Sequence, residues 1–363
     1  MLTSRAAVAL EPGPLTVTSV SVSPPGPGEV LVRMLLTTID MASLLASQGK
    51  LPGLTFPTIL GKEGVGVVVD VGPDVESLFI GDMVVPISMP ECGQCPVCLS
   101  GRGNLCHQHA TQSETSTHFT LNEQPCFPGF GPATFSEYTV IRESALARLP
   151  KGLSPEDACF LGGVFGLGVG AVLAVARLSK GDSIAVFGAN ALGLSVIQGA
   201  ILAQAGDIFA IDTDPNRLEQ AQAMGATHTL LLDPTESIAT TLLEHSQGGV
   251  SVAFECWAKP EQFAEVVSST NPAWGMTVLV HPRLPKEIVQ LPLNLLYGGR
   301  SIKGAQAGGI KGRTQLYQYG ALILAGQLHP KSLMTHRLPL AQINTALALA
   351  EAREGIRIAV DFT

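Results

Sequence analysis

In the first part of the chain, apolar residues fall in short β-type runs cut by Pro and Gly: LTVTSVSVS, GEVLVRMLL, GVGVVVDVG and DMVVPI. Short strands at regular spacing with turn residues between them predict a small, partly open barrel reaching to about Arg148. From about Gly181 the texture changes. SIAVFG reads as a buried strand, LGLSVIQGAILAQAG as a helix, DIFAID as a strand and PNRLEQAQAMGA as a helix, with VSVAFEC and WGMTVLV as further strands. Alternating strands and helices need crossover connections, hence a parallel sheet. After about Gly304 the chain rejoins the first domain and ends in a strand, GIRIAVDF. The expected fold class is therefore α/β, a β-rich domain plus a doubly wound parallel-sheet domain.

Ala158 to Ala176 is apolar or glycine throughout and by length alone could span a membrane. Its many glycines, with Arg177 and Lys180 flanking only one end, favour a buried helix at a domain junction. The N-terminus, MLTSRAAVALEPGP, lacks the apolar core of a signal peptide. With 363 residues, 46% hydrophobic and 14% charged, the chain has enough material for two packed domains. A formal charge of −8 argues against nucleic acid or an anionic membrane as partner. Seven cysteines, four clustered and Cys126, Cys159 and Cys256 scattered, do not resemble a secreted disulfide framework. A soluble cytoplasmic protein is expected.

Cys92-x2-Cys95-x2-Cys98-x7-Cys106 is the most specific motif. Four thiolates this close can complete a tetrahedral shell around one Zn²⁺ with no open corner, so the ion would be structural. Unmetallated loop cysteines and an iron–sulfur cluster are the alternatives. A second motif begins where SIAVF runs into Gly188-Ala-Asn-Ala-Leu-Gly193 and then a helix. Gly188 permits the tight turn, Gly193 lets helix and strand approach, and the helix N-terminus offers N–H groups to a pyrophosphate. Asn190 departs from the pattern by replacing the middle glycine. Asp212, at the end of the next strand, would accept hydrogen bonds from a ribose 2′-hydroxyl and repel a 2′-phosphate, favouring NAD(H). Arg217 would brace the same ribose; a helix-starting Asp with a surface Arg is the plainer alternative.

These residues resemble the zinc-dependent medium-chain alcohol dehydrogenases, most closely the glutathione-dependent formaldehyde dehydrogenase (class III) branch. The resemblance runs through FPTILGKEGVGVVVDVG, GDMVVP, the cysteine lobe ending in NLC, ATFSEYTV, CFLGG, GGVSVAFEC, GRSIKGAQAGG and GIRIAV. It implies a GroES-like catalytic domain at residues 1–164 with the zinc lobe at about 91–107, a Rossmann NAD-binding domain at 165–304, and a return at 305–363. It also implies a homodimer or a tetramer of dimers. Position by position, Asp212 and Arg217 match the ribose contacts, and Arg357 matches a terminal-strand arginine that meets the pyrophosphate. The backbone near Val280, Ala305 and Ala307 matches the hold on the nicotinamide carboxamide.

The catalytic half departs from the family. Its three zinc ligands, two cysteines and a histidine, align with Asp40, Gly163 and Lys62, and the hydroxyl that starts its proton relay aligns with Ala42. An ammonium does not bind zinc and glycine has no side chain, so no catalytic zinc is expected. A rescue by Asp40 with Glu63 would still be short of three ligands. The charged residues that hold glutathione in class III enzymes align with Leu51, Gly53 and Ala110, so a glutathione adduct is not the expected substrate.

Lys62 and Asp40 admit two readings: a salt bridge plugging the old cavity, or an ammonium that donates a hydrogen bond or proton to a developing anion with Asp40 as its partner. Glu63 is a weaker catalytic candidate. His281, at a strand end near the expected nicotinamide, is an acid–base candidate or a packing residue. Leu51, Met89, Leu167 and Pro282 imply a mostly apolar pocket for a small molecule. The leading expectation is an oxidoreductase using NAD(H) on an activated substrate, such as a conjugated C=C, an iminium or a quinone-like group. A non-redox acid–base enzyme or binding protein retaining NAD is the alternative, with conventional alcohol dehydrogenation third.

Overall fold

The computed structural model describes residues 1–87, 89–106, 117–233, 237–257, 259–281 and 288–362; Ala110 and Pro282 lie outside them. The chain forms two compact units, Met1–Gly163 with Lys311–Thr363, and Val164–Ile310.

In the first unit, strands Leu2–Ala9, Thr16–Val22, Phe119–Leu121, Gln124–Pro128 and Thr58–Ile59 form a closed barrel. It closes where Val8 and Ala9 pair with Ile59 and Thr58, rather than standing partly open as the strand spacing suggested. Leu2–Ala9 carries small residues with no clear alternation, yet Ala6, Ala7, Val8 and Ala9 are fully buried. Beside the barrel lies a seven-stranded sheet built around Glu29–Thr38, which pairs with Gly64–Val71, Tyr138–Arg142 and the C-terminal strand Arg357–Asp361. The register positions the candidate site. Thr37 faces Gly64 on one side, and Ala359 faces Thr38 on the other. Thr38, Glu63 and Arg357 are thereby gathered at one end of the sheet.

The second unit is a six-stranded sheet in the order His228–Leu231, Ile208–Asp212, Ile184–Phe187, Val252–Glu255, Met276–Leu279, Ser301–Gly304, parallel throughout. Ile184–Phe187 and Val252–Glu255 are wholly buried, as central strands of a parallel sheet should be. Helix Ala191–Leu202 is buried almost all round.

The run Ala158 to Ala176 is not one buried helix. It contains the end of Pro155–Ala158, a turn, the helix Val164–Gly170 and a π-helical turn Ala171–Ala176. A Cβ on Gly162 would collide with Pro86 O, and one on Gly168 with Ser195 Cβ, so these glycines serve close approach. Among the described residues no helix is long and apolar enough to cross a membrane.

Candidate functional site

The four motif cysteines come together as a cluster whose sulfur atoms all lie within 4.8 Å of one another. The Cys92–Cys98 and Cys95–Cys106 sulfurs are each 3.9 Å apart. A tetrahedral zinc with Zn–S of about 2.3 Å requires S···S of about 3.8 Å, so the donor set fits that ion. Backbone N–H groups turn towards the sulfurs, Cys95 N to Cys92 Sγ at 3.3 Å and Cys98 N to Cys95 Sγ at 3.4 Å. The N–H of Gln94 lowers the Cys92 thiol and that of Cys98 lowers Cys95, whereas burial and the Cys95 sulfur push Cys98 up to about 12. Four thiolates this close need a shared cation to ionise together. Zinc supplies it.

In the second unit, strand Ile184–Phe187 ends at Gly188, with φ +97, and a Cβ there would lie 2.7 Å from Trp257 Cβ. A Cβ on Gly193 would collide with Gly188 O. Only glycine fits at either position. Asn190 caps the helix Ala191–Leu202 with its side chain. Asp212 is 4% exposed, its Oδ2 accepting from Ala189 N at 2.8 Å and its Oδ1 from Thr213 N and Asp214 N at 2.8 and 3.1 Å. Those bonds fix the carboxylate at the strand end, and Arg217 Nη1 stands 3.8 Å from it. Val280 and Ala305 lie just past adjacent strand ends, their N–H groups bonded to Glu255 O and Leu279 O, and Ala307 has φ +48. Trp257 Nε1 is buried and has no hydrogen-bond partner. Glycine turn, helix N-terminus and fixed carboxylate together fit a dinucleotide. His281 lies beyond the same strand end as Val280, its N–H donating to Glu255 O at 3.2 Å. Leu167 is on Val164–Gly170 in this unit.

In the first unit, Asp40 precedes the short helix Met41–Ser47 and caps it. Both its carboxylate oxygens are engaged by Ser43, Oδ1 by the N–H and Oδ2 by the hydroxyl, each at 3.0 Å. Lys62 Nζ stands 3.9 Å from Asp40 Oδ1, outside hydrogen-bond length, and its side chain is 44% exposed. It also lies 5.9 Å from the Phe130 ring centroid.

Glu63 is held differently. It is 3% exposed, and its Oε2 accepts from Thr38 Oγ1 and from Arg357 Nη2. A Cβ built on Gly163 would collide with its other oxygen, Oε1. The carboxyl group thus lies where a side chain on residue 163 would begin. Burial holds Arg357 down at about 10, a shift that the nearby charge of Asp40 opposes; its Nε is buried and has no partner. The Glu63–Arg357 pair is the feature that sequence reasoning missed. Leu51 packs against the barrel core, Gly53 has φ +89, and Met89 is half-buried. Among the described residues, the four cysteines are the only group of three or more His, Cys, Asp or Glu positioned to share a metal.

Residues 26–151 match the family described as alcohol dehydrogenase GroES-like domain, and residues 191–324 match zinc-binding dehydrogenase. The chain is 38% identical, over 99% of its length and 100% of the relatives', to S-(hydroxymethyl)glutathione dehydrogenases of Photobacterium damsela subsp. piscicida and Escherichia coli O1:K1 / APEC. An alcohol dehydrogenase zinc-binding domain protein from Burkholderia ambifaria superposes with a TM-score of 0.93 at 29% identity, covering 100% of this chain and 99% of that one. Benzyl alcohol dehydrogenase from Acinetobacter calcoaceticus gives 0.91 at 25%, covering both chains fully. The chain belongs to the zinc-type medium-chain alcohol dehydrogenase superfamily, with a GroES-like catalytic domain and a Rossmann domain. Within it, the chain is related to the class III, S-(hydroxymethyl)glutathione dehydrogenase branch, whose members are oxidoreductases.

Proposed function

We propose that this chain is an NAD(H)-dependent oxidoreductase that works without a catalytic zinc and acts on a substrate already electrophilic. The observation that carries this reading is the state of the three positions where the family places its ligands. Lys62 presents an ammonium, Asp40 has both oxygens engaged by Ser43, and Glu63 Oε1 occupies the space that a side chain on Gly163 would need. No three-ligand site can be assembled from that set. A Lewis acid would contribute several kcal/mol of charge stabilisation to reduction of a simple carbonyl. Its loss points to acceptors such as a conjugated C=C, an iminium or a quinone-like group.

NADH, when bound, supplies a hydride with its electron pair. Lys62 provides the complementary part: its Nζ gives a hydrogen bond or a proton to the atom on which negative charge develops, and regains the proton from solvent. A separation of 3.9 Å from Asp40, beyond hydrogen-bond length, leaves that ammonium able to turn towards a substrate. Glu63, paired with Arg357 and hydrogen-bonded by the Thr38 hydroxyl, we read as structural. Asp212 orders the adenosine ribose, assisted by Arg217. Leu51 and Gly53 offer no charge to a peptide, which argues against a glutathione adduct. A homodimer is supported by the exposed Ile288, Leu293 and Tyr297 in the segment leading to the edge strand Ser301–Gly304.

The test is spectrophotometric. Purified protein with NADH and a panel of enones, iminium salts and quinones should consume NADH absorbance, and with NAD⁺ and simple primary alcohols should produce none. Bound NADH that stays redox-silent towards the whole panel would favour the non-redox alternative. Alcohol oxidation abolished by chelators would restore conventional chemistry.

A further inference from the structure

Asn190 stands where the nucleotide loop enters its helix, and it is held at three points. Its Oδ1 accepts from the N–H groups of Leu192 at 2.9 Å and Gly193 at 3.2 Å, and its Nδ2 donates to Cys256 O at 2.8 Å. The first two donors belong to the opening turn of Ala191–Leu202, the groups that a bound pyrophosphate would use. The third contact ties the carboxamide to the residue following strand Val252–Glu255, so the oxygen is held in place over those donors. The backbone makes no demand here: φ is −79 and ψ −177, an extended conformation open to any residue.

We propose that Asn190 is a built-in competitor for the cofactor pyrophosphate, a positioning residue whose amide oxygen occupies the helix N–H groups until NAD(H) displaces it. The inference rests on the reading of NAD(H) as cofactor. The exchange is favourable because hydrogen bonds to an ionised phosphate are roughly twice as strong as those to a neutral amide oxygen. It is less favourable than binding to an open helix end, because two amide bonds and the tie to Cys256 must break first. A glycine here would leave the donors open; asparagine lowers affinity and makes release of spent cofactor easier.

Full-length N190G, N190A, N190D and unmodified protein should be titrated with NADH by calorimetry and by quenching of tryptophan emission, to which Trp257 beside Gly188 contributes. N190G is expected to bind about tenfold more tightly than the unmodified protein, a difference of about 1.4 kcal/mol. N190A should also bind more tightly while its cofactor-free form melts a few degrees lower, because the cap is lost. N190D keeps the acceptor, loses the donor to Cys256 O and adds negative charge, so it should bind more weakly than the unmodified protein. Equal or weaker binding by both N190G and N190A would overturn the inference alone. Failure of every form to bind NADH would overturn the cofactor reading and this inference with it.

Discussion

Lys62→Met is expected to cut turnover of an electrophilic acceptor roughly 10²–10⁴-fold, the usual contribution of a positioned general acid. The same variant should bind NADH as before and melt within a degree or two of the parent. Lys62 is 44% exposed and 3.9 Å from Asp40, a geometry in which an ion pair contributes little to folding. That contrast separates the two roles open to the residue. A cavity-plugging salt bridge would cost stability on removal and leave chemistry to other groups. A proton donor would cost rate and leave stability alone. Asp40→Asn provides the companion measurement, because asparagine caps a helix as well as aspartate does. It should leave the helix Met41–Ser47 intact while removing the charge beside Lys62, and it should lower turnover without abolishing it. Full turnover in Lys62→Met would remove the lysine from the mechanism.

Glu63→Ala should destabilise the first unit by about 3–5 kcal/mol, as removal of one partner from a buried ion pair does. In a unit this size the melting temperature should fall by on the order of 10 °C. The pair has the required burial, with side chains 4% and 13% exposed, and Glu63 also accepts from Thr38. Removing it strands a guanidinium whose Nε already has no partner. Arg357→Met should show a comparable loss by stranding the carboxylate. Combining Glu63→Met with Arg357→Met should recover most of it, since apolar residues of similar volume often replace a buried pair without net cost. Chemical denaturation of the three variants checks this. Additive losses in the double variant would mean that the two residues act independently.

The features legible in the sequence were those whose partners lie close along the chain. Four cysteines within one short lobe, and a glycine turn between an apolar strand and a helix, need no knowledge of distant pairing. The Glu63–Arg357 contact joins residues 294 apart and exists only because the C-terminal strand pairs beside Thr38 in one register. Nothing in the local pattern around Lys62 or Gly163 marks Glu63 as the group that occupies the space beside residue 163. Two local signals were present and underread. Asp40 before Met41–Ser47 and Asn190 before Ala191–Leu202 are both N-cap residues, a preference visible in sequence. The sharper chemical question at each position concealed the simpler one. The strand Leu2–Ala9 was missed because its inward positions are mostly alanine, which carries little strand signal although all are buried.

Everything proposed for the first unit depends on how many metal ions a chain retains. Elemental analysis of protein purified without chelator, followed by timed exposure to a thiol-compatible chelator, measures this directly. One zinc per chain is predicted, held by Cys92, Cys95, Cys98 and Cys106 and released slowly together with loss of the lobe's structure. Two zinc ions per chain, one of them removed quickly with loss of activity, would contradict it.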